Sequence, residues 1–223
     1  MKIHFLHIGK TGGTAFQNAI RDGGEQHRFH VHGHTVGLAD VPVGEKLIFF
    51  LRHPVSRYVS AFYSRYRQGQ PMTFRPWKPE EERAFTRFPT ANALAEALSS
   101  PDPDEREAAE EGMRGIGHVK SSFYDWVASD AYFHDRSDDI WFIGLQETFE
   151  ADLELMRKAG ILAETTTLPT DDVKTHRMPV HFDRHLSEQA IKNLTAWYAA
   201  DIDFYLTALA WRRERWPQAE VPG

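Results

Sequence analysis

The sequence contains no cysteine, which excludes disulfide bonds, thiolate catalysis and cysteine-ligated zinc or iron–sulfur sites. It also lacks any apolar run near the roughly 18 residues that a membrane-spanning helix needs. Its first residues lack the basic and apolar regions of a signal peptide, so we expect a cytoplasmic protein. A net charge of −6 argues against general affinity for nucleic acid, so we expect no nucleic-acid partner. With 223 residues, 41% of them hydrophobic, we expect a single globular domain over residues 1–223.

Acidic residues are missing from one long stretch, since no aspartate or glutamate lies between Lys46 and Pro79. The same stretch carries Lys46, Arg52, Arg57, Arg65, Arg67, Arg75 and Lys78. A local excess of positive charge favours an anionic ligand. Residues 101–111 show the opposite bias, which is typical of a solvated helix or loop.

A glycine-rich turn follows the first apolar run. The run from Ile3 to Ile8 is too short for a helix and predicts a buried strand. Phe16, Ala19 and Ile20 share one face at helical spacing and predict the helix that follows. Backbone N–H groups at such a helix start converge on one point and favour a phosphate group. The turn between strand and helix comprises Gly9, Lys10, Thr11, Gly12, Gly13 and Thr14.

The order of residues in this turn differs from the P-loop of nucleoside triphosphatases. That motif requires a glycine five residues before Gly9, where this chain has His4. Here Lys10 also precedes the paired glycines. A loop with this order resembles the 5′-phosphosulfate loop of sulfotransferases. Those enzymes use 3′-phosphoadenosine 5′-phosphosulfate (PAPS) and share a P-loop-like α/β core.

Alternating strands and helices predict an α/β fold, a three-layer α/β/α core around a central parallel sheet. Leu47–Leu51 is a continuous apolar run, as expected for a strand covered on both faces. Ile140–Gly144 is a further predicted strand, and Pro54 is placed to open a helix. The last helix is predicted to begin at Ser187, with an apolar stripe that includes Leu194, Tyr198, Tyr205 and Leu209.

Residues 68–118 have the least regular pattern of the chain. They are rich in proline, and the one helix predicted there runs from an N-cap at Thr90 through Leu98. We expect an insertion that shapes the acceptor site rather than a second domain.

A second phosphate motif begins where the strand 47–51 ends. Arg52 follows that strand, and Ser60 lies eight residues later on the predicted helix. An arginine at the carboxyl end of a strand can direct two donors onto a phosphate, and a helix serine can add a hydroxyl. The pair resembles the 3′-phosphate motif of sulfotransferases.

Further motifs are similar to those of the carbohydrate 2-O-sulfotransferases that act on glycosaminoglycans, including heparan and uronyl types. The His-Gly-His of that family is His32-Gly33-His34 here. Ile143–Glu147 resembles the family's Val-Gly-Val-Thr-Glu segment, and Lys174–Arg177 resembles the loop that closes over the nucleotide. Asp203–Tyr205 resembles the ending of the family's last helix. The resemblance covers most of the chain outside about 68–118.

The resemblance implies transfer of a sulfuryl group from PAPS to an acceptor hydroxyl, with a saccharide or glycoconjugate as the partner and no metal. It makes His34 the general base and places Lys10 where it stabilises the leaving 5′-phosphate. His32 orients the site or contacts the acceptor. The residues implied to bind the nucleotide are Lys10, Thr11, Gly12, Gly13 and Thr14 at the 5′-phosphate, Arg52 and Ser60 at the 3′-phosphate, and Thr175, His176 and Arg177 in the covering loop.

Other functions stay open at this point. His30, His32 and His34 point to one side of an extended chain, and a His-x-His pair is common in metal sites, which keeps a metal-dependent hydrolase in consideration. A nucleotide-binding protein without catalysis is another alternative, although the presence of both Lys10 and His34 argues against it. The position of the lysine in the loop argues against a small-molecule kinase.

Overall fold

The computed structural model describes residues 2–171, 179 and 182–220. Within this part of the chain, one sheet has four strands in the order β2-β1-β3-β4, all of them parallel. The strands are β1 (Ile3–Leu6), β2 (Phe29–Val31), β3 (Leu47–Leu51) and β4 (Ile140–Leu145). The predicted strands at 3–8, 47–51 and 140–144 are therefore confirmed, the first of them shorter than predicted.

Helices separate and follow the strands. They are α1 (Gly13–Asp22), α2 (Pro54–Tyr66), α3 (Pro79–Arg87), α4 (Ala91–Ala97), α5 (Pro103–Gly115), α6 (Tyr124–Val127), α7 (Asp130–Asp135), α8 (Phe149–Lys158), α9 (Glu188–Trp197) and α10 (Ala199–Arg215). Single 3₁₀ turns lie at Gln26–Arg28 and Leu38–Asp40. Among the described residues, no helix combines the length and apolar character that a membrane crossing requires.

The chain divides into two compact units. The first unit comprises Met1–His53, Ser122–His176 and Asp203–Gly223, and the second comprises Pro54–Ser121 and Arg177–Ile202. The first unit holds the whole sheet. Residues 68–118 fall inside the second unit, whose bounds are wider. Two expectations stay predictions: that residues 1–223 form a single domain, and that residues 68–118 shape the acceptor site.

The sheet of the first unit is covered on both faces, because neighbouring residues of each strand point to opposite sides. On one face α1 and α8 pack against it, with Phe16 and Met156 beside Phe5 and Phe50. On the other face α6, α7 and α10 supply Phe123, Trp126, Phe133, Phe204 and Leu209, which pack with Leu6, Phe49 and Ile143. The predicted α/β fold with helices flanking a parallel sheet is confirmed.

A buried ion pair holds the carboxyl end of β4 to the helices around it. Asp152 in α8 and Arg212 in α10 are each almost fully buried and are paired through two hydrogen bonds. Asp152 also accepts from the Leu145 N–H at 2.7 Å, and Arg212 donates to the Ile143 carbonyl at 2.7 Å. Since both charges are enclosed, each depends on the other for its compensation.

The second unit is helical, and its helix content exceeds the prediction. Thr90 caps α4 as expected, its hydroxyl accepting from the Ala93 N–H at 3.1 Å. The expectation of an otherwise irregular segment is wrong, because α3 and α5 also form there. Pro79 and Pro103 each occupy the first turn of a helix, where the missing N–H has no partner to lose. Prolines that suggest breaks in the sequence are helix starts in the structure.

The last predicted helix is two helices rather than one. Ser187 caps α9 as expected, accepting from the Ala190 N–H at 3.2 Å. The helix ends at Tyr198, whose backbone leaves the helical region at φ −100° and ψ 25°. Its ring is buried and its hydroxyl donates to the Val119 carbonyl at 2.7 Å, which holds the break in place.

Candidate active site

The glycine-rich turn joins β1 to the N-terminus of α1. Gly12 is the N-cap residue at φ 94°, and Lys10 also has a left-handed φ of 69°, so the turn is tight. The Phe16 N–H makes a bond of 3.1 Å to the Gly12 carbonyl. This is the first hydrogen bond of the helix. The N–H groups of residues 13–15 lie before it, in the first turn, where an α-helix provides no carbonyl acceptor. With the half-buried Lys10, they fit a phosphate group.

Gly13 packs directly against a histidine that follows β1. A Cβ built at Gly13 would lie 2.2 Å from Cδ2 of His7 and 2.6 Å from its Nε2. These distances are far below van der Waals contact. Glycine at this position is therefore required by the His7 ring.

The two threonines of the turn differ in their surroundings. Thr11 is only 1% exposed, and its hydroxyl donates to the Ile8 carbonyl at 3.0 Å. That hydroxyl braces the turn, which leaves the backbone of Thr11 as the group suited to a ligand. Thr14 is half-buried in the first turn of α1, beside the same N–H groups.

His34 lies beside this turn with a defined tautomer. Its Nδ1 is 2.9 Å from the His7 carbonyl oxygen, which can only accept, so Nδ1 carries the proton of the neutral ring. The lone pair is then on Nε2. The backbone of His34 is held in turn by Trp126, whose indole N–H donates to the His34 carbonyl at 2.7 Å. The side chain is exposed. A neutral imidazole in this state can take a proton from a hydroxyl.

His7 is a site residue to which the sequence assigned no role. Its ring centroid is 4.1 Å from that of His34, and the residue is 8% exposed. Burial, and the nearby charges of His34 and Lys10, lower the pKa of His7 to about 3. His7 is therefore neutral near pH 7, and its ring lies between Gly13 of the turn and the ring of His34. Its one signal in the sequence is its position immediately after the first strand.

His32 does not share the surroundings of His34. Its Nε2 is 2.8 Å from Nδ1 of His4, and its ring stacks on those of His30 and His4 at 4.4 and 5.0 Å. Burial, then His30 and His4, lower the pKa of His32. The expectation that His30, His32 and His34 lie together is therefore wrong for His34, because the chain leaves the strand after Val31 and turns toward His7.

Arg52 lies at the same edge of the sheet as the glycine-rich turn. It follows β3 directly, and β3 is the parallel neighbour of β1 with Leu6 opposite Phe49. Glu147, just after β4, accepts from the His53 N–H at 2.8 Å and so fixes the backbone beside Arg52. Glu147 belongs to the sequence segment 143–147, which by itself assigns it no role.

The structure does not test the other predicted nucleotide residues. Ser60 is half-buried in α2, within the second unit, and its share in a phosphate site with Arg52 stays a prediction. Thr175, His176 and Arg177 lie outside the residues that the structure describes, so their covering role also stays a prediction.

Comparison with protein families agrees with the geometry of the turn. The family model described as "Sulfotransferase family" matches residues 1–206, and the family consists of PAPS-dependent enzymes. Comparison with curated proteins and with solved structures finds no significant match. The match covers the sheet, the glycine-rich turn, Arg52 and His34. The chain therefore belongs to the sulfotransferase family, and its activity requires a sulfuryl acceptor.

Proposed function

We propose that this enzyme transfers a sulfuryl group to a hydroxyl of a saccharide or glycoconjugate, with His34 as the general base. The observation that carries the proposal is the hydrogen bond from His34 Nδ1 to the His7 carbonyl, which places the lone pair of the neutral ring on Nε2, the nitrogen that can take up a proton. The resemblance of His32-Gly33-His34 to the carbohydrate 2-O-sulfotransferases supports a sugar hydroxyl as the acceptor.

The donor side of the site is the start of α1. PAPS supplies the sulfuryl group on a 5′-phosphate when it is bound. Residues 13–15 offer backbone donors and the positive end of the helix to that phosphate, and Thr14 adds a hydroxyl. Lys10 adds a full charge at the point where negative charge grows during transfer. The Thr11 hydroxyl keeps the turn in shape, and its backbone is the part of the residue assigned to the ligand.

The 3′-phosphate is assigned to Arg52 and Ser60. An arginine at the end of a parallel strand has the geometry for two charge-assisted hydrogen bonds. Glu147 accepts a hydrogen bond from the backbone of His53, the residue after Arg52, and so positions the backbone from which the Arg52 side chain extends. Thr175, His176 and Arg177 complete the proposal as a covering loop.

The acceptor side depends on the His7–His34 pair. Because the pKa of His7 is about 3, His34 is the member of the pair that takes up the acceptor's proton near neutral pH. His32 has an orienting role: its N–H donates to the Phe5 carbonyl at 3.0 Å and ties the segment before His34 to β1.

The alternative of a metal-dependent hydrolase used the His-x-His cluster, whose members are His30, His32 and His34. His30 and His32 do lie together and His32 contacts His4, whereas the proposed base His34 lies against His7. The arrangement favours proton transfer at His34, and the proposed reaction needs no metal there.

The test is nucleotide selectivity measured by calorimetry. Wild type should bind 3′-phosphoadenosine 5′-phosphate more tightly than ADP by roughly 30- to 150-fold, the equivalent of about 2–3 kcal/mol for one arginine–phosphate contact. Arg52→Ala should remove most of that preference. Arg28→Ala is a matched control, because Arg28 lies in the same unit and pairs with Glu25 at 2.5 Å. Equal affinity of wild type for both nucleotides would contradict the assignment.

A further inference from the structure

Three histidines meet on one face of the sheet at its β2 edge. His4 of β1 is the register partner of His30 of β2, and His32 follows two residues later on the same side. One ring nitrogen from each of the three lies within 4.8 Å of the others. His4 is 6% exposed, His32 is half-buried and His30 is exposed, so the cluster opens to solvent on one side.

A carboxylate contacts His4, the buried member of this histidine cluster. Glu45 Oε2 is 2.5 Å from Nε2 of His4. Because an ionised carboxylate only accepts, Nε2 of His4 carries the proton in this pair, and the lone pair of the ring lies on Nδ1, toward His32. Metal-ligating histidines almost always donate their other ring N–H to a carboxylate, a backbone carbonyl or a water, and Glu45 is such a partner for His4.

We propose that His4, His30 and His32 bind one divalent transition-metal ion of the zinc type, with Glu45 orienting His4. Imidazole nitrogens suit zinc and its neighbours, whereas magnesium and calcium prefer oxygen. Zinc would replace the proton that now joins Nδ1 of His4 to Nε2 of His32. Three protein ligands leave a fourth position for water.

The distances in the cluster are close to those that a zinc ion requires. Zn–N bonds of about 2.0–2.1 Å in a tetrahedron separate the ligand nitrogens by roughly 3.3 Å. The present separations begin at 2.8 Å and end within 4.8 Å, so they bracket that value. The rings must turn out of their stacked arrangement to aim their lone pairs at one point. His30 and His32 have the exposure to do so, while His4 is held by Glu45.

The ion would fasten the edge strand to its neighbour. Among the residues that the structure describes, β2 pairs on one side only, with β1, and it is three residues long. A metal bridging His4 to His30 and His32 would hold β2 and the segment that leads to His34. The site is separate from the proposed reacting centre, because His34 lies against His7.

A calorimetric titration of the metal-free protein with zinc tests the site. Wild type should saturate at one zinc per chain and should not respond to magnesium. His30→Ala removes an exposed ligand without disturbing the core and should weaken zinc binding at least tenfold. Glu45→Gln removes the carboxylate that orients His4 and should weaken zinc binding about tenfold, the lower end of the range for losing such a partner. His27→Ala, an exposed histidine outside the cluster, should bind zinc as wild type does.

Thermal unfolding supplies the second measurement. Zinc should raise the Tm of wild type and of His27→Ala but not that of His30→Ala, because the ion binds only the folded arrangement. His34→Ala should keep wild-type zinc affinity. The proposal is overturned if wild type shows no saturable binding, if His30→Ala binds as tightly as wild type, or if His34→Ala loses the ion.

Discussion

Replacing Gly13 by alanine tests the contact between the glycine-rich turn and His7. Gly13 has no left-handed φ, and it lies in the first turn of α1, so alanine is acceptable to the backbone. The added Cβ would approach the His7 ring to 2.2 Å. The ring has little room to move, because it is buried and stands 5.8 Å from the Phe5 ring and 4.1 Å from the His34 ring.

The cost of Gly13→Ala is therefore that of overpacking a buried contact. Such insertions destabilise by about 1–3 kcal/mol. For a chain of 223 residues this corresponds to roughly 2–4 °C of Tm for each kcal/mol. Thermal unfolding measures the loss. Calorimetry with 3′-phosphoadenosine 5′-phosphate should also show weaker binding, because the displaced ring pushes on the turn that carries the backbone donors.

Gly33→Ala is the matched control. Gly33 also has no left-handed φ, and nothing lies within 4 Å of a Cβ built there, so its stability should change by less than about 0.5 kcal/mol. The double variant His7→Ala/Gly13→Ala should lose less stability than the sum of the single variants, since the clash needs both side chains. A Gly13→Ala protein as stable as wild type, or strict additivity in the double variant, would refute the contact.

Two further predictions concern buried ionisable side chains. His7 has a pKa lowered to about 3 by burial, so its contribution to stability is complete above its unfolded pKa near 6.5 and is lost as pH falls toward 3. Wild type should lose unfolding free energy more steeply than His7→Gln below pH 6.5, while His27→Gln keeps the wild-type slope; equal slopes for wild type and His7→Gln would contradict the burial. Arg212→Ala should destabilise by about 3–5 kcal/mol in denaturant unfolding, because the Asp152 carboxylate stays buried without its partner. Arg215→Ala, in the same helix and paired with an exposed aspartate, should cost less than about 1 kcal/mol, and equal losses for the two variants would count against the buried pair.

The fold was predictable wherever local pattern and tertiary environment agree. β3 was predicted at the residues where it occurs, because a continuous apolar run bounded by polar residues fits a strand covered on both faces. The sequence does not predict α3 and leaves α5 as either a helix or a loop, because a proline at the first turn of a helix and a proline in a loop look alike in a sequence.

The candidate site was predictable in its motifs but not in its contacts. The turn at Lys10 and the arginine after β3 carry local signatures of phosphate binding. The role of His7 depends on burial by α1 and on the return of His34, neither of which is local. The division between His32 and His34 depends on where β2 ends, because the chain leaves the strand after Val31 and turns toward His7, and the alternation of side chains along one strand cannot supply that end point.

Turnover of His34→Ala is the most direct measurement of the central proposal. The assay follows release of 3′-phosphoadenosine 5′-phosphate from PAPS with a saccharide acceptor that supports wild-type turnover, alongside nucleotide titration of both proteins. His34→Ala should lose roughly 10²–10⁴ in turnover and keep its nucleotide affinity within about twofold, because only the proton acceptor is removed. His27→Ala should match wild type in both. Near-normal turnover of His34→Ala would contradict the account and place the general base elsewhere.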